Sequence, residues 1–297
     1  MTLQPNRFEK GFTVIEMMVV VSLIALLIAL LIPAIQASRE LARQSMCASN
    51  MHQLGIALHS YAADFGNFPR GHFDSPSIHG AILPYIEEGN LYNNINVNFI
   101  RNFSSVGSAN VTYANITPKV FLCPSDHAPT NTSNVGWTNY AGNRGSGVQK
   151  YGYNGVFPFF PDPLVGPAAI TDGMQNTALM SEWLLGDETR DPRRTNFHTS
   201  RSLADPDQLD EFARVCHNID PTTATIAPHA KGTNWLYGDF GHTFYNHVMP
   251  INDHTCLNES GFQIGAWTAG SQHKGGAFVL FADGHTSFLK ETVSIET

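Results

Sequence analysis

The segment that most constrains this chain lies near its start. Residues 12–35 read FTVIEMMVVVSLIALLIALLIPAI, an apolar run carrying one carboxylate, Glu16. A helix needs about 20 apolar residues to cross a bilayer, and this run supplies them. Arg7 and Lys10 precede it, which places the N-terminus on the cytoplasmic side by the positive-inside tendency. A secretory signal peptide would have an apolar core of about 7–15 residues and then a small-residue cleavage site. This run is longer and continues into further helix. Glu16 is the anomaly, because a carboxylate in hydrocarbon costs roughly several kcal/mol unless it is shallow or paired. One resolution is a side chain that reaches the interface. The other is a cationic partner, and a cut before Phe12 would create an α-amino group four residues away.

After Pro33 the pattern turns amphipathic. Cys47, Met51, Leu54, Leu58, Tyr61 and Phe65 follow at spacings of 4, 3, 4, 3 and 4, the stripe of a helix laid on a core. Gln44, Asn50, Gln53 and Ser60 fall between, and Gly66-Asn67-Phe68-Pro69 ends the pattern. The expectation is one helix over about 12–64, softened at Pro33, which removes a hydrogen bond.

Beyond Phe65 turn signals dominate. Ile82-Leu83-Pro84-Tyr85-Ile86-Glu87-Glu88-Gly89-Asn90-Leu91-Tyr92 reads as a short helix begun near Pro84 and closed by Gly89. Phe121-Leu122-Cys123-Pro124-Ser125-Asp126 reads as a strand end turning into a loop, and 127–167 as irregular loops. Asn176 to Glu182 is a candidate strand. Gly276 to Ala282 is apolar on both faces, as a central strand is. Asp283-Gly284 then supplies a two-residue hairpin turn, and His285 to Lys290 returns as the partner.

Charged residues are 14% of the chain and the net charge is −8, with no Lys/Arg cluster, so no stripe exists to neutralise nucleic-acid phosphates. The four cysteines, Cys47, Cys123, Cys216 and Cys256, contain no C-x-x-C pair, which disfavours zinc ribbons and thioredoxin-like motifs. They admit three disulfide pairings, or burial as small free hydrophobes.

The segment Lys10-Gly11-Phe12-Thr13-Val14-Ile15-Glu16 resembles the prepilin cleavage and methylation motif of type IV pilins and type II secretion pseudopilins. The resemblance implies that a prepilin peptidase cuts between Gly11 and Phe12 and methylates the new Phe12 amine. It also implies that Glu16, fifth after the cut, registers one subunit against its neighbour's N-terminus, and that Pro33 is the family's helix-softening proline. Further segments resemble a group of pilin-like bacterial proteins of unknown function, domain-of-unknown-function family 1559. Its members end in His, nine residues, then Asp-Gly, here His273 and Asp283-Gly284. The likeness extends to Cys47 through Leu58, Leu83 through Glu87, Cys123 through Asp126 and Thr171-Asp172-Gly173. Met174-Gln175 and the His-rich stretch 229–254 depart from it. On this resemblance Cys47 is expected to pair with Cys123. Pairing of Cys216 with Cys256 rests only on their proximity in sequence.

His229, His242, His247, His254, His273 and His285, with Asp239, Asp253 and Asp283, offer metal-ligand chemistry, yet none makes a close ligand pair of recognised spacing. Loop histidines in solvent are the simpler expectation, and no metal or other cofactor is assigned. His273 and Asp283 flank one strand and would lie roughly 30 Å apart at about 3.3 Å per residue if fully extended, so both are expected to be structural. No G-x-S-x-G elbow, phosphate loop or dinucleotide fingerprint occurs, and Glu87-Glu88 are adjacent and diverge on a helix. An enzyme is not expected.

The fold expected is α+β: a long N-terminal helix, transmembrane then amphipathic, packed on an antiparallel sheet with long loops and a C-terminal hairpin. The organisation expected is a leader over 1–11, a transmembrane half over 12–35, an amphipathic half over 36–64 and an extracytoplasmic domain over 65–297. The function expected is a structural subunit of pilin or pseudopilin type, anchored in the inner membrane, with prepilin peptidase and other pilin-like subunits as partners. The alternatives are a tethered binding module for a glycan or metal ion, with Trp137, Trp235 and Trp267 as its first contacts, and a membrane-anchored hydrolase.

Overall fold

The computed structural model describes residues 11–71, 76–96, 110–127, 136–147, 154–158, 162–187, 189–203, 208–227, 231–258 and 265–293. Residues 1–10 of the leader expected over 1–11, with Arg7, and His229 lie outside the described residues. The chain divides into two compact units, Met1–Arg43 and Gln44–Thr297.

In the first unit the helix α1, which spans Val14–Phe65, begins at Val14 and runs without a break through Pro33. Pro33 has no N–H, so the Ala29 carbonyl loses its helical donor there. The Ser22 hydroxyl donates to the Val19 carbonyl at 2.8 Å, which satisfies a polar group inside an apolar stretch. The apolar side chains from Val14 to Ile35 are exposed, and none of the stretch apolar enough to span a bilayer is buried. By length and composition this part of α1 suffices to cross a membrane.

The second unit is built on the C-terminal part of α1 and two β-sheets. Cys47, Met51, Leu54, Ala57, Leu58 and Ala62 are buried there, at the 3–4 spacing of one helical face. Burying a Leu or Met side chain stabilises by roughly 1.5–3 kcal/mol. Gly55 sits on the same face. A Cβ there would come 2.8 Å from Leu280 Cδ1, so the helix and the strand carrying Leu280 meet through a missing side chain. Tyr61 is partly buried, whereas Phe65, expected to end the stripe, is 60% exposed because the chain turns away at Gly66.

The larger sheet has the order β4-β1-β2-β7-β8, from β1 (Tyr140–Asn143), β2 (Ala178–Glu182), β4 (Phe244–Tyr245), β7 (Gly276–Phe281) and β8 (Thr286–Lys290). β2 lies antiparallel between β1 and β7, with Tyr140 opposite Glu182 and Met180 opposite Leu280. β4 joins β1 in parallel, so the sheet is mixed rather than purely antiparallel. A second sheet, β3-β5-β6, combines β3 (Asn196–His198), β5 (Thr255–Leu257) and β6 (Gly265–Ala266), again with a parallel pair, β3 and β5. Both parallel pairs join segments far apart in sequence, which local patterning does not reveal. The helix Leu209–His217 packs Phe212 and Cys216 with Leu203, Val248, Met249, Cys256 and Ala266 in a separate core.

Several local expectations change. Leu83–Ile86 is a 3-10 turn closed by Glu87 in the left-handed region (φ 65°), while Gly89 opens the next helix, Gly89–Asn94. Lys119–Phe121 is also 3-10, and the turn after Cys123 closes through the Asp126 N–H and the Cys123 carbonyl at 3.0 Å, so no strand ends there. β1 lies inside the stretch read as loops. Its Gly142 has no space for a side chain, since a Cβ would come 2.5 Å from Ile78 Cδ1 and 2.8 Å from Phe157. The C-terminal hairpin turns through three residues rather than two: the Phe281 N–H bonds to the His285 carbonyl at 2.9 Å, and Gly284 takes the left-handed position at φ 93°.

Candidate functional site

At the start of α1, Gly11 and Phe12 precede the helix, and Phe12 is 79% exposed. Thr13 and Glu16 form a capping box. The Thr13 N–H and hydroxyl donate to Glu16 Oε2 at 2.8 and 2.9 Å, and the Glu16 N–H donates back to Thr13 Oγ1 at 3.3 Å. Here the Glu16 carboxylate satisfies the helix N-terminus through Thr13. The spacing that would serve a new Phe12 amine also serves a cap, since both lie one helical turn away.

The motif residues of the second unit converge in two places. The first is a buried polar centre. Cys47 and Cys123 form a disulfide with Cα atoms 5.0 Å apart, tying α1 to the turn after Phe121. His273 Nε2 lies 3.6 Å from Cys123 Sγ and 3.6 Å from Glu182 Oε1. Glu182 stands on β2, where its Oε2 accepts the Phe278 N–H at 2.8 Å, while Oε1 has no hydrogen-bond partner among the described residues. Burial pushes the Glu182 carboxyl pKa up, with His273 and the Phe278 N–H pulling against it. Asp126 accepts from Asn139 Nδ2 at 2.8 Å, from the Leu185 N–H at 2.9 Å and from Arg194, an ion pair closed to solvent. The Tyr140 hydroxyl donates to the Cys47 carbonyl at 3.2 Å.

The second place is a clasp of two turns. Ala282 and Asp283, in the hairpin loop, donate their N–H groups to the carbonyls of Thr177 at 2.8 Å and Met174 at 3.2 Å. Asp283 Oδ1 pairs with His285 Nδ1 at 2.6 Å. His273 and Asp283 therefore have separate partners. Cys216 and Cys256 form the other disulfide, with Cα atoms 5.9 Å apart.

Chemically, an imidazole beside a carboxylate is an acid/base pair, but Glu182, His273 and Cys47 are buried and both neighbouring sulfurs are tied in a disulfide. No thiolate is available as a nucleophile or metal ligand there. Glu182, Asp126 and Arg194 escaped the sequence reading of this centre. The one signal was a carboxylate at the end of an apolar strand, Ala-Leu-Met-Ser-Glu.

The histidines are largely not the solvent-exposed loop residues expected. His242 is buried and its Nδ1 lies 2.7 Å from the Thr233 carbonyl, and His247 Nε2 lies 3.1 Å from the Tyr245 hydroxyl. Trp137, Trp235 and Trp267 are buried as well, so none offers an open platform to a ligand. Trp235 donates its indole N–H to the Ile116 carbonyl at 2.9 Å, as a core tryptophan does. The aromatic rings that line an open cavity of about 420 Å³ are Tyr61, Phe65, Tyr85 and Tyr92. Its rim carries the Tyr85 hydroxyl, bonded to Asp64 Oδ2 at 2.6 Å.

A family model described as "Protein of unknown function (DUF1559)" matches residues 36–296. A model of the prokaryotic N-terminal methylation motif matches residues 6–32. The competence protein ComGC of Halalkalibacterium halodurans is 29% identical over 66 residues, 22% of this chain and 65% of that protein. The chain thus spans about 65% of the length of the curated relative it matches. No solved structure matches.

Proposed function

The chain belongs to the DUF1559 family and carries an N-terminal methylation motif; from that premise we propose that it is a pilin- or pseudopilin-like structural subunit. Prepilin peptidase cuts between Gly11 and Phe12 and methylates the Phe12 amine. The segment 12–35 holds the protein in the inner membrane with the N-terminus cytoplasmic, and the domain from about residue 65 stands outside the cytoplasm. Other pilin-like subunits are its partners, and its role is non-enzymatic. On this reading the cut gives the Glu16 carboxylate a second claimant besides Thr13, the cationic amine at Phe12 of its own or a neighbouring chain.

The observation that carries the reading is the coincidence at one place of three things. The methylation-motif match ends within α1, the apolar half of α1 has no buried residue, and Glu16 sits one turn into the helix. A protein that only tethered a domain would need the apolar length and no carboxylate in it. Two disulfides in the second unit accord with a domain outside the cytoplasm.

The test is Glu16→Ala, expressed with the peptidase and partner subunits present. Cleavage and membrane insertion continue, while recovery of the protein in sheared or cross-linked assemblies falls at least tenfold. Undiminished recovery in assemblies would contradict the role given to Glu16.

A further inference from the structure

Away from the buried centre, the end of the helix Leu209–His217 and the loop ahead of β5 bring three donor side chains together. His217 Nδ1 lies 2.8 Å from Asp253 Oδ2, and His254 Nδ1 lies 2.8 Å from Asp253 Oδ1. The two imidazole centroids are 5.9 Å apart. One ligand atom from each of the three residues lies within 4.8 Å of the other two. We propose that His217, Asp253 and His254 bind a divalent transition-metal ion of the zinc class.

The donor set is two imidazole nitrogens and a carboxylate oxygen, the mixture that zinc accepts in sites with three protein ligands and one open position. Bonds of about 2.0–2.2 Å place neighbouring tetrahedral ligand atoms roughly 3.3 Å apart. The present separations bracket that value, from 2.8 Å between each nitrogen and its oxygen up to the 4.8 Å limit of the group. Small side-chain rotations would seat an ion where the two N–H···O contacts now run. Two neutral imidazoles and one carboxylate leave the bound site with a single positive charge. The exposure of His217, 64% of its side chain, leaves the fourth position to water.

The arrangement is held by the backbone. The Cys216–Cys256 disulfide joins the helix end to β5; His217 follows one cysteine directly and His254 precedes the other by two residues. The His254 carbonyl accepts from the Thr268 hydroxyl at 2.5 Å, and the His254 N–H donates to Asp253 Oδ1 at 2.7 Å. Asn252, just before, is in the left-handed region at φ 66°, and its Oδ1 accepts the Ser271 N–H at 2.8 Å. Asp253 and His254 are thereby presented by an anchored turn, the pre-organisation a metal site needs. Among the described residues, a second group with ligand-like spacing, Cys47, Cys123, Glu182 and His273, has both sulfurs in a disulfide and offers no thiolate.

The experiment uses the full chain without a polyhistidine tag, purified in detergent, freed of metal and titrated with Zn²⁺ by calorimetry. The expected result is one ion per chain with a micromolar dissociation constant and a higher melting midpoint. His217→Ala and Asp253→Asn each weaken binding at least tenfold. For His217→Ala, the non-reduced mass and the metal-free melting midpoint stay as in the parent. Absence of saturable binding up to millimolar zinc overturns the assignment. So does undiminished affinity in the His217→Ala/His254→Ala double variant.

Discussion

The Glu182 carboxylate and the His273 imidazole lie 3.6 Å apart against the Cys47–Cys123 disulfide, and both side chains are closed to solvent. Glu182 comes from β2 and His273 from the segment ahead of β7, so the pair links two neighbouring strands of the larger sheet to α1 through Cys47. Both groups are withdrawn from water, and truncating one leaves the other without its nearest polar partner, at a cost of roughly 1–3 kcal/mol.

His273→Ala is therefore expected to destabilise the second unit by roughly 1–3 kcal/mol, read from the midpoint of chemical denaturation. Glu182→Gln keeps the shape and the Phe278 N–H bond while removing the charge, so its cost is smaller, roughly 1 kcal/mol. No loss for Glu182→Gln beside a clear loss for His273→Ala would show that the pair acts through packing alone.

Gly55 faces Leu280 with no space for a Cβ beyond 2.8 Å from Leu280 Cδ1. Gly55→Ala requires only a shift at the end of a flexible side chain. Gly55→Leu forces α1 away from β7 and is expected to cost roughly 1–3 kcal/mol more by overpacking. Paired thermal melts of the two variants measure the difference.

Acid sensitivity follows from two histidines. Burial pushes His79 down to about 3 and His247 down to about 4, from an ordinary value of 6.5. In the unfolded chain both take protons near pH 6.5, while the folded chain refuses them until the lower values are reached. The unfolded state binds more protons across that window, so stability present above about pH 6.5 is lost as pH falls toward 3. Denaturation at pH 7 and at pH 4.5 is expected to show a loss of several kcal/mol. A flat profile would mean that both rings protonate freely in the fold.

The Cys47–Cys123 bridge closes a separation of 76 residues, and the chain-entropy argument values such a closure at roughly 4.5 kcal/mol. The Cys47→Ser/Cys123→Ser double variant is expected to lose about that much while retaining the β7–β8 hairpin, whose backbone bonds are local. Amide exchange, read strand by strand, separates the two effects.

What the sequence disclosed depended on period and range. α1 was legible over nearly its whole length because its apolar run and its 3–4 stripe are local signals. β7 was legible because it is apolar on both faces. β1 was hidden, since Tyr-Ala-Gly-Asn among glycines and asparagines gives no alternation. It becomes a strand because Ile78 and Phe157 press on Gly142 and because β2 and β4 flank it. The parallel pairing of β1 with β4 joins residues about a hundred positions apart and leaves no trace in either segment. Glu87 rather than Gly89 takes the left-handed position, and Gly89 instead opens the helix Gly89–Asn94. The burial of His242 is not legible because a buried imidazole needs only one local partner, here the Thr233 carbonyl at 2.7 Å, and sequence does not show which group will be near. The partnership of Glu182 with His273, 91 residues on, became visible only when the strands were paired.

The central claim is that the chain enters the prepilin pathway at Gly11, and the most direct test is the intact mass and N-terminal residue of the protein recovered from membranes. The account predicts a protein that begins with N-methylated Phe12. A protein still beginning at Met1, in cells with an active prepilin peptidase, would contradict it and reduce the apolar half of α1 to a plain anchor.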